Sequence, residues 1–314
     1  SKNMSKYLVT GGAGFIGSNI VEELVSKGET VRVLDNLSTG FEAHLKPFMD
    51  KIEFLKGDVR KEEDVKKAVS GMDYVIHQAA LRSVAKSVEA PVPTNDVNVW
   101  GTLNMLLISA EHKVKRFVYA SSSSAYGDCE VFPEHEGLCP NPISPYAVSK
   151  LAGELYARMF TYTMGLETVS LRYFNVFGPR QNPESKYSAV IPAFIDRLMK
   201  DQPCIIDGTG EQSRDFTYVK NVVDANIASC HAKGVAGMVF NVACGESYSV
   251  NETAKTIAKI MGKNIPPVYG EKRRGDVLKT YADITALKEK LGVTPSVGFH
   301  EGLERTVKWF VKSK

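Results

Sequence analysis

Along the first half of the chain, short runs rich in β-branched and aromatic residues alternate with longer stretches whose apolar residues recur every three or four positions. Lys6–Thr10 predicts a strand, 18–25 a helix that ends at Gly28, and Thr30–Asp35 a second strand. A strand with a turn follows at 52–59, then a charged amphipathic helix at 61–69 and a buried strand at 74–80. Residues 95–111 predict a long helix with an apolar stripe of Val99, Leu103, Leu106, Leu107 and Ala110. A strand at 116–120 runs into four serines. A helix carrying Tyr146 extends to about Met164, and 167–174 is another strand. Repeated β-α units of this kind build a parallel sheet covered by helices on both faces, an α/β doubly wound architecture over residues 1–175.

Beyond residue 175 the periodicity changes. A polar, loop-like stretch at 179–187 is followed by short strand-like pieces at 204–206, 216–219 and 239–242. Helices are predicted at 191–200, 222–233, 250–261 and 302–312. This is a smaller α/β lobe over 176–314. Segments after about 215 are open to returning to the first domain, and the two lobes should share a cleft.

The first strand leads directly into Gly11-Gly12-Ala13-Gly14-Phe15-Ile16-Gly17, and the second strand ends at Asp35. Strand, glycine turn, helix, strand and acidic residue in this order form a Rossmann-type dinucleotide fingerprint. Gly11 permits the tight turn, Gly14 admits a pyrophosphate, and Gly17 lets helix and strand approach. The helix N-terminus offers N–H groups to phosphate. Asp35 would accept hydrogen bonds from a ribose diol and repel a 2′-phosphate, favouring NAD over NADP; Asp35-Asn36 is also good turn chemistry.

Tyr146 and Lys150 are four apart in Pro145-Tyr146-Ala147-Val148-Ser149-Lys150, so on a helix they share a face. An ammonium beside the phenol would lower its pKa and make a proton-transfer unit.

Composition narrows the setting. Of 314 residues, 43% are hydrophobic and 24% charged, and the net charge of +3 is dispersed; with no basic run, nucleic acid is not indicated. No apolar stretch approaches the roughly 18 residues of a membrane span, and Met4 reads as the natural start, without a secretory leader. Five cysteines without a C-x-x-C spacing fit a reduced, cytoplasmic setting. Six histidines show no metal-ligand spacing, so no metal is expected.

Taken together, these motifs resemble the extended short-chain dehydrogenase/reductase family, and within it the sugar-nucleotide 4-epimerases that act on UDP-glucose and UDP-N-acetylglucosamine. The resemblance runs from Tyr7 to about Trp309. Beyond the glycine turn it includes Asp58-Val59, His77-Gln78-Ala79-Ala80, Ala125-Tyr126-Gly127 after the serines, and Ser144-Pro145-Tyr146 with Lys150. It continues through Arg172-Tyr173-Phe174-Asn175-Val176-Phe177-Gly178-Pro179, Ser213-Arg214-Asp215-Phe216 and Arg273-Arg274-Gly275-Asp276.

The resemblance implies catalysis by Ser122, Tyr146 and Lys150 through a 4-keto sugar. It implies NAD contacts at Gly11, Gly14, Phe15, Ile16 and Gly17, at Asp35, Asn36, Ser38, Thr39 and Gly40, and at Asp58 and Val59. Gln78, Ala79, Ala80, Tyr146, Lys150, Tyr173 and Val176 complete that set. UDP-sugar contacts are implied at Ser83, Ser122, Ser123, Tyr146, Asn175, Ala189, Val190, Ile205 and Asp207. Arg214 and Arg273 would meet phosphate, Asp276 the uridine ribose, and Thr280 the sugar. Thr280, being small, would leave room for an N-acetyl group at C2. A homodimer is implied as well.

Rival activities are separable. By the same resemblance a 4,6-dehydratase or a decarboxylase is disfavoured, because Ser123 and Ser124 stand where the dehydratases carry Asp and Glu, and Ser124 where the decarboxylase carries Glu. A UDP-glucuronate 4-epimerase would need another cation near the sugar, for which Arg82 is the candidate. A simple dehydrogenase would require added NAD, and a non-catalytic binding protein would not need the Ser, Tyr and Lys that are all present.

Overall fold

The computed structural model describes residues 4–183 and 189–314. The segment ahead of Met4 and the last part of the 179–187 loop lie outside them.

β1 (Lys6–Thr10) leads through the glycine turn into α1 (Phe15–Ser26) and β2 (Thr30–Asp35); β3 (Ile52–Lys56), α2 (Glu62–Val69) and β4 (Tyr74–His77) follow. α3 (Val84–Glu89) and α4 (Pro91–Asn95) run through a π-helical turn at Asp96–Trp100 into α5 (Gly101–Glu111). β5 (Arg116–Ser122), α6 (Pro145–Met164), β6 (Thr168–Tyr173) and β7 (Val176–Phe177) come next. The remainder is α7 (Val190–Met199), β8 (Ile205–Asp207), β9 (Ser213–Arg214), β10 (Thr217–Tyr218), α8 (Val219–His231) and β11 (Met238–Val242). β12 (Tyr248–Ser249), α9 (Val250–Ile260), β13 (Val268–Gly270), α10 (Thr285–Leu291) and α11 (Phe299–Lys312) end the chain.

Seven parallel strands form one sheet in the order β11-β6-β5-β4-β1-β2-β3. Successive side chains of a strand face opposite sides, and the core follows that rule. Tyr7 and Val9 pack with Ile20 and Leu24 of α1 and with Val222 of α8. Leu8 between them faces Val65 of α2, Met105 of α5 and Phe160 of α6. The sheet is therefore doubly wound, with helices on both faces. Strand order reverses between β1 and β4, where a sheet of this type opens a crevice at its carboxyl edge.

Elements differ from their predicted form in places. The strand expected over 74–80 stops at His77: the Gln78 N–H is shared between the Thr10 carbonyl and the Thr10 hydroxyl, and the Ala79 N–H goes to that hydroxyl alone, each at 3.1 Å. The helix expected from residue 95 is preceded by α3 and α4, with Pro91 in the first turn of α4, where its missing N–H is harmless. The strand-like piece at 239–242 joins the main sheet as β11, with Asn241 opposite Arg172, a return to the first domain that the sequence left open.

Candidate active site

One cleft at the carboxyl ends of β1, β2 and β4 is lined by Gly11, Gly14, Phe15, Ile16 and Gly17, and by Asp35, Asn36, Ser38, Thr39 and Gly40. Asp58, Val59, Gln78, Ala79 and Ala80 line it too, as do Leu81, Arg82 and Val97. The turn is a cradle that a side chain would fill. A Cβ on Gly17 would lie 2.1 Å from the Gly11 carbonyl oxygen, and one on Gly11, at φ 67°, would lie 2.8 Å from the Ala79 nitrogen. The start of α1 has no side-chain cap, which leaves its N–H groups for an anion. At the rim, Asp35 accepts the N–H of Ala13 at 3.0 Å and of Leu37 at 2.8 Å. It thus performs the turn role, and each oxygen keeps a lone pair. Arg60 grips Asp58 at 2.6 Å and holds its carboxyl below the usual range. Cradle, uncapped helix start and strand-end carboxylate fit an adenine dinucleotide.

Two buried networks shape the floor. The Thr10 hydroxyl, having accepted two N–H groups, gives its proton to His77 Nδ1 at 2.6 Å, so His77 Nε2 donates to Thr102 at 3.0 Å. Burial, with the charges of Lys150 and Arg82, lowers His77 to about 3, so it stays neutral. The Tyr173 hydroxyl donates to Gln78 Oε1 at 3.1 Å and accepts from Asn226 Nδ2 at 2.9 Å, while Gln78 Nε2 donates to Asn226 Oδ1 at 3.3 Å. Both side chains expected to meet the cofactor are thereby held by Asn226, which no local pattern marks.

The carboxyl end of β5 presents Ser122, whose Oγ accepts the Ser124 N–H at 3.1 Å. Ser123 opens the short helical turn that follows. Ser144 caps α6 by accepting the Ala147 N–H at 3.1 Å, and Pro145 starts the helix, so Tyr146 emerges from its first turn. The Ser122 hydroxyl lies near enough to the Tyr146 phenol to favour its ionised form. Its expected lowering by Lys150 is not what this arrangement produces. Burial pushes Tyr146 up, against the charge of Arg82 and the nearby Ser122 hydroxyl. The Lys150 ammonium instead donates to the Ala120 carbonyl at 2.8 Å, and burial, with Arg82, pushes it well below its ordinary value.

A second group of expected residues meets across β8, β9 and the 273–280 segment. Arg214 pairs with Asp276, and Arg273 with Asp207, each at 2.8 Å. Both arginines expected to face phosphate thus rest on carboxylates that were themselves expected to contact substrate. Asn175 is exposed and bonded to Thr280. Thr280, expected to wall the sugar pocket, is only 9% exposed, and its hydroxyl is committed inward. Ile205 is an exposed residue of β8, Val176 lies in β7, Ala189 caps α7 and Val190 begins it. Ser83 caps α3 by accepting the Lys86 N–H at 3.0 Å. Two further residues of this region were given no role from the sequence, although Asp215 lies in the 213–216 motif. Burial pushes the carboxyl of buried Glu134 up to about 7, against the Tyr281 N–H it accepts at 3.1 Å and the more distant charge of Arg214. Fully buried Asp215 gathers backbone N–H groups from 244, 245 and 282.

Among the described residues, no group of three or more His, Cys, Asp or Glu is placed to hold a metal ion, and no helix is long and apolar enough to cross a membrane.

Comparison with known proteins agrees with this geometry. A Methanocaldococcus jannaschii protein provisionally assigned as a UDP-glucose 4-epimerase is 41% identical over 304 residues, covering 96% of this chain and 97% of its own. The UDP-N-acetylglucosamine 4-epimerase of Methanobrevibacter ruminantium, solved with UDP-N-acetylmuramic acid, superposes with a TM-score of 0.95 at 39% identity, covering 99% of each chain. The Thermotoga maritima UDP-glucose 4-epimerase, solved with UDP-glucose, gives 0.94 at 39% identity, covering 98% of this chain and 99% of its own. The sequence model of the NAD dependent epimerase/dehydratase family matches residues 7–243, and this chain belongs to that family.

Proposed function

We propose that this protein is an NAD-dependent UDP-sugar 4-epimerase. The observation that carries the reading is the glycine cradle for a dinucleotide at the carboxyl ends of β1, β2 and β4, with Ser122 at the end of β5 and Tyr146 in the first turn of α6 near enough to influence each other. NAD, when bound, supplies the reversible oxidation at C4 that lets the centre lose and regain its configuration. The protein's own groups do the rest. Tyr146 exchanges a proton with the 4-oxygen, and Ser122 bonds the same oxygen. Lys150 holds a ribose hydroxyl, and Asp35 the adenosine diol. Arg214 and Arg273 anchor the diphosphate, where two guanidinium groups match two negative charges. Asn175 adds N–H donors there, and Asp276 takes the uridine ribose. Ser83, Ser123, Ala189, Val190, Ile205 and Asp207 line the remainder of the substrate path. Binding energy from the nucleotide holds the intermediate without fixing one face of the sugar.

The sugar series proposed is plain and N-acetylated UDP-hexoses, supported by the likeness to a UDP-glucose and a UDP-N-acetylglucosamine 4-epimerase. UDP-glucuronate is the second reading, favoured by one observation: Arg82 lines the cleft and its charge reaches Tyr146. Val148, Leu155, Met159 and Tyr162 form an exposed apolar face along α6, which supports a homodimer paired through helices. A cytoplasmic location follows from the same enzymatic role. The test is incubation with UDP-glucose, UDP-N-acetylglucosamine and UDP-glucuronate, with and without added NAD, followed by separation of the epimers. Interconversion of the first two without net consumption of NAD is expected; formation of a stable keto or acidic product overturns the reading.

A further inference from the structure

The Asp215 carboxylate is fully buried among backbone N–H groups. Oδ1 accepts from Cys244 at 3.0 Å, and Oδ2 from Gly245 at 3.0 Å and Ala282 at 3.1 Å. These bonds lock the turn after β11 and the stretch around residue 281 onto Asp215. With the carboxylate pinned, the Asp215 N–H has a set direction, and it donates to Thr280 Oγ1 at 3.0 Å. The Thr280 N–H donates to the Ser213 carbonyl at 3.0 Å, so Thr280 is held from both sides.

The Thr280 hydroxyl has one proton left to give. Asn175 Oδ1 lies 2.9 Å away and accepts it. A hydroxyl proton needs an acceptor, which decides which end of the Asn175 amide points inward. Nδ2, with its two N–H groups, therefore points outward from an exposed residue. The Asn175 backbone is fixed as well, at φ 31°, with its carbonyl accepting the Thr217 N–H at 3.1 Å.

We infer that Thr280 is a positioning residue whose hydroxyl, set by the Asp215 N–H, turns the Asn175 amide so that its N–H donors face the nucleoside diphosphate. The inference rests on the nucleotide-sugar reading above. It differs from a gate on the sugar ring, because a gate discriminates among sugars while this relay acts on every ligand carrying the diphosphate, UDP included.

Thr280→Val keeps the branched shape and removes the hydroxyl; Thr280→Ser keeps the hydroxyl. Calorimetric titration with UDP should show about tenfold weaker binding for Thr280→Val, the usual worth of one hydrogen bond to a charged group. Thr280→Ser should bind like the wild type, and NAD affinity should match in all three. KM for UDP-glucose and UDP-N-acetylglucosamine should rise together in Thr280→Val. Asn175→Asp, which still accepts the Thr280 proton but has no N–H to offer, should bind UDP more weakly than Asn175→Ala. UDP binding by Thr280→Val equal to wild type, or by Thr280→Ser as weak as by Thr280→Val, overturns the inference. So does a loss confined to the N-acetylated sugar. A wild-type protein that binds NAD but not UDP overturns the nucleotide-sugar reading itself, and the inference with it.

Discussion

Lys150 donates from its ammonium to the carbonyl oxygen of Ala120 at 2.8 Å. Tyr119 adds a second stitch between β5 and α6 by donating to the Lys150 carbonyl at 3.2 Å. The cation expected to sit on the phenol is thus part of a strand–helix seam.

Proton exchange therefore depends on the Tyr146 hydroxyl. Tyr146→Phe keeps the buried ring and removes that group, so turnover should fall by about 10²–10⁴-fold. Far-ultraviolet circular dichroism should stay at wild-type values. Near-normal epimerisation by this variant would contradict the assignment.

NAD should bind much more tightly than NADP in a fluorescence titration, because a 2′-phosphate would meet the Asp35 carboxylate. Asp35→Asn, which keeps an acceptor but loses the charge, should narrow that difference. Asp35→Ala should weaken both ligands, since the Ala13 and Leu37 N–H groups then lose their acceptor. Equal affinity of the wild type for NAD and NADP argues against the role of Asp35.

Glu134 makes stability depend on pH. Its folded value is raised to about 7 from 4.5. Between those values the unfolded chain releases the proton while the folded protein keeps it. The stabilisation is full at acid pH, is lost as pH rises toward 7, and levels off beyond. Glu134→Gln does not titrate and retains an acceptor for the Tyr281 N–H. Urea unfolding should show this variant gaining on the wild type by on the order of 1–3 kcal/mol between pH 5 and pH 8. A pH-independent difference would exclude Glu134 as the source.

Light scattering should give twice the chain mass. Leu155→Glu combined with Met159→Glu places charge on the exposed face of α6 and should give the single-chain mass with the fold retained. A wild-type monomer at all concentrations would remove the dimer proposal.

What was legible in the sequence is what is local. β1, the glycine turn, α1 and β2 lie within 30 consecutive residues, and their spacing carries the dinucleotide site. Tyr146 was legible because Ser144 and Pro145 mark the start of its helix. The direction of the Lys150 side chain was not, since its acceptor is a backbone oxygen 30 positions earlier. Asn226 reaches Gln78 across 148 positions, and Glu134 meets Tyr281 across 147. Neither pair leaves a periodic or compositional trace. The Arg214–Asp276 pair was half legible: each residue was placed near substrate, but not against the other.

The place of β11 at the sheet edge has a consequence for how the molecule is made. Met238 lies opposite Val169, and Tyr126 donates to Asn241 at 2.6 Å, so the nucleotide-binding sheet is finished by chain synthesised much later. While a nascent chain is still short of residue 242, β6 stands as an uncovered edge with unpaired backbone groups, the feature through which strands recruit other strands. Long-range pairing of this kind is slow to form. A fragment cut after residue 175 should therefore be insoluble rather than a small working nucleotide binder, and the growing chain should need protection on the ribosome until its last sheet strand has emerged.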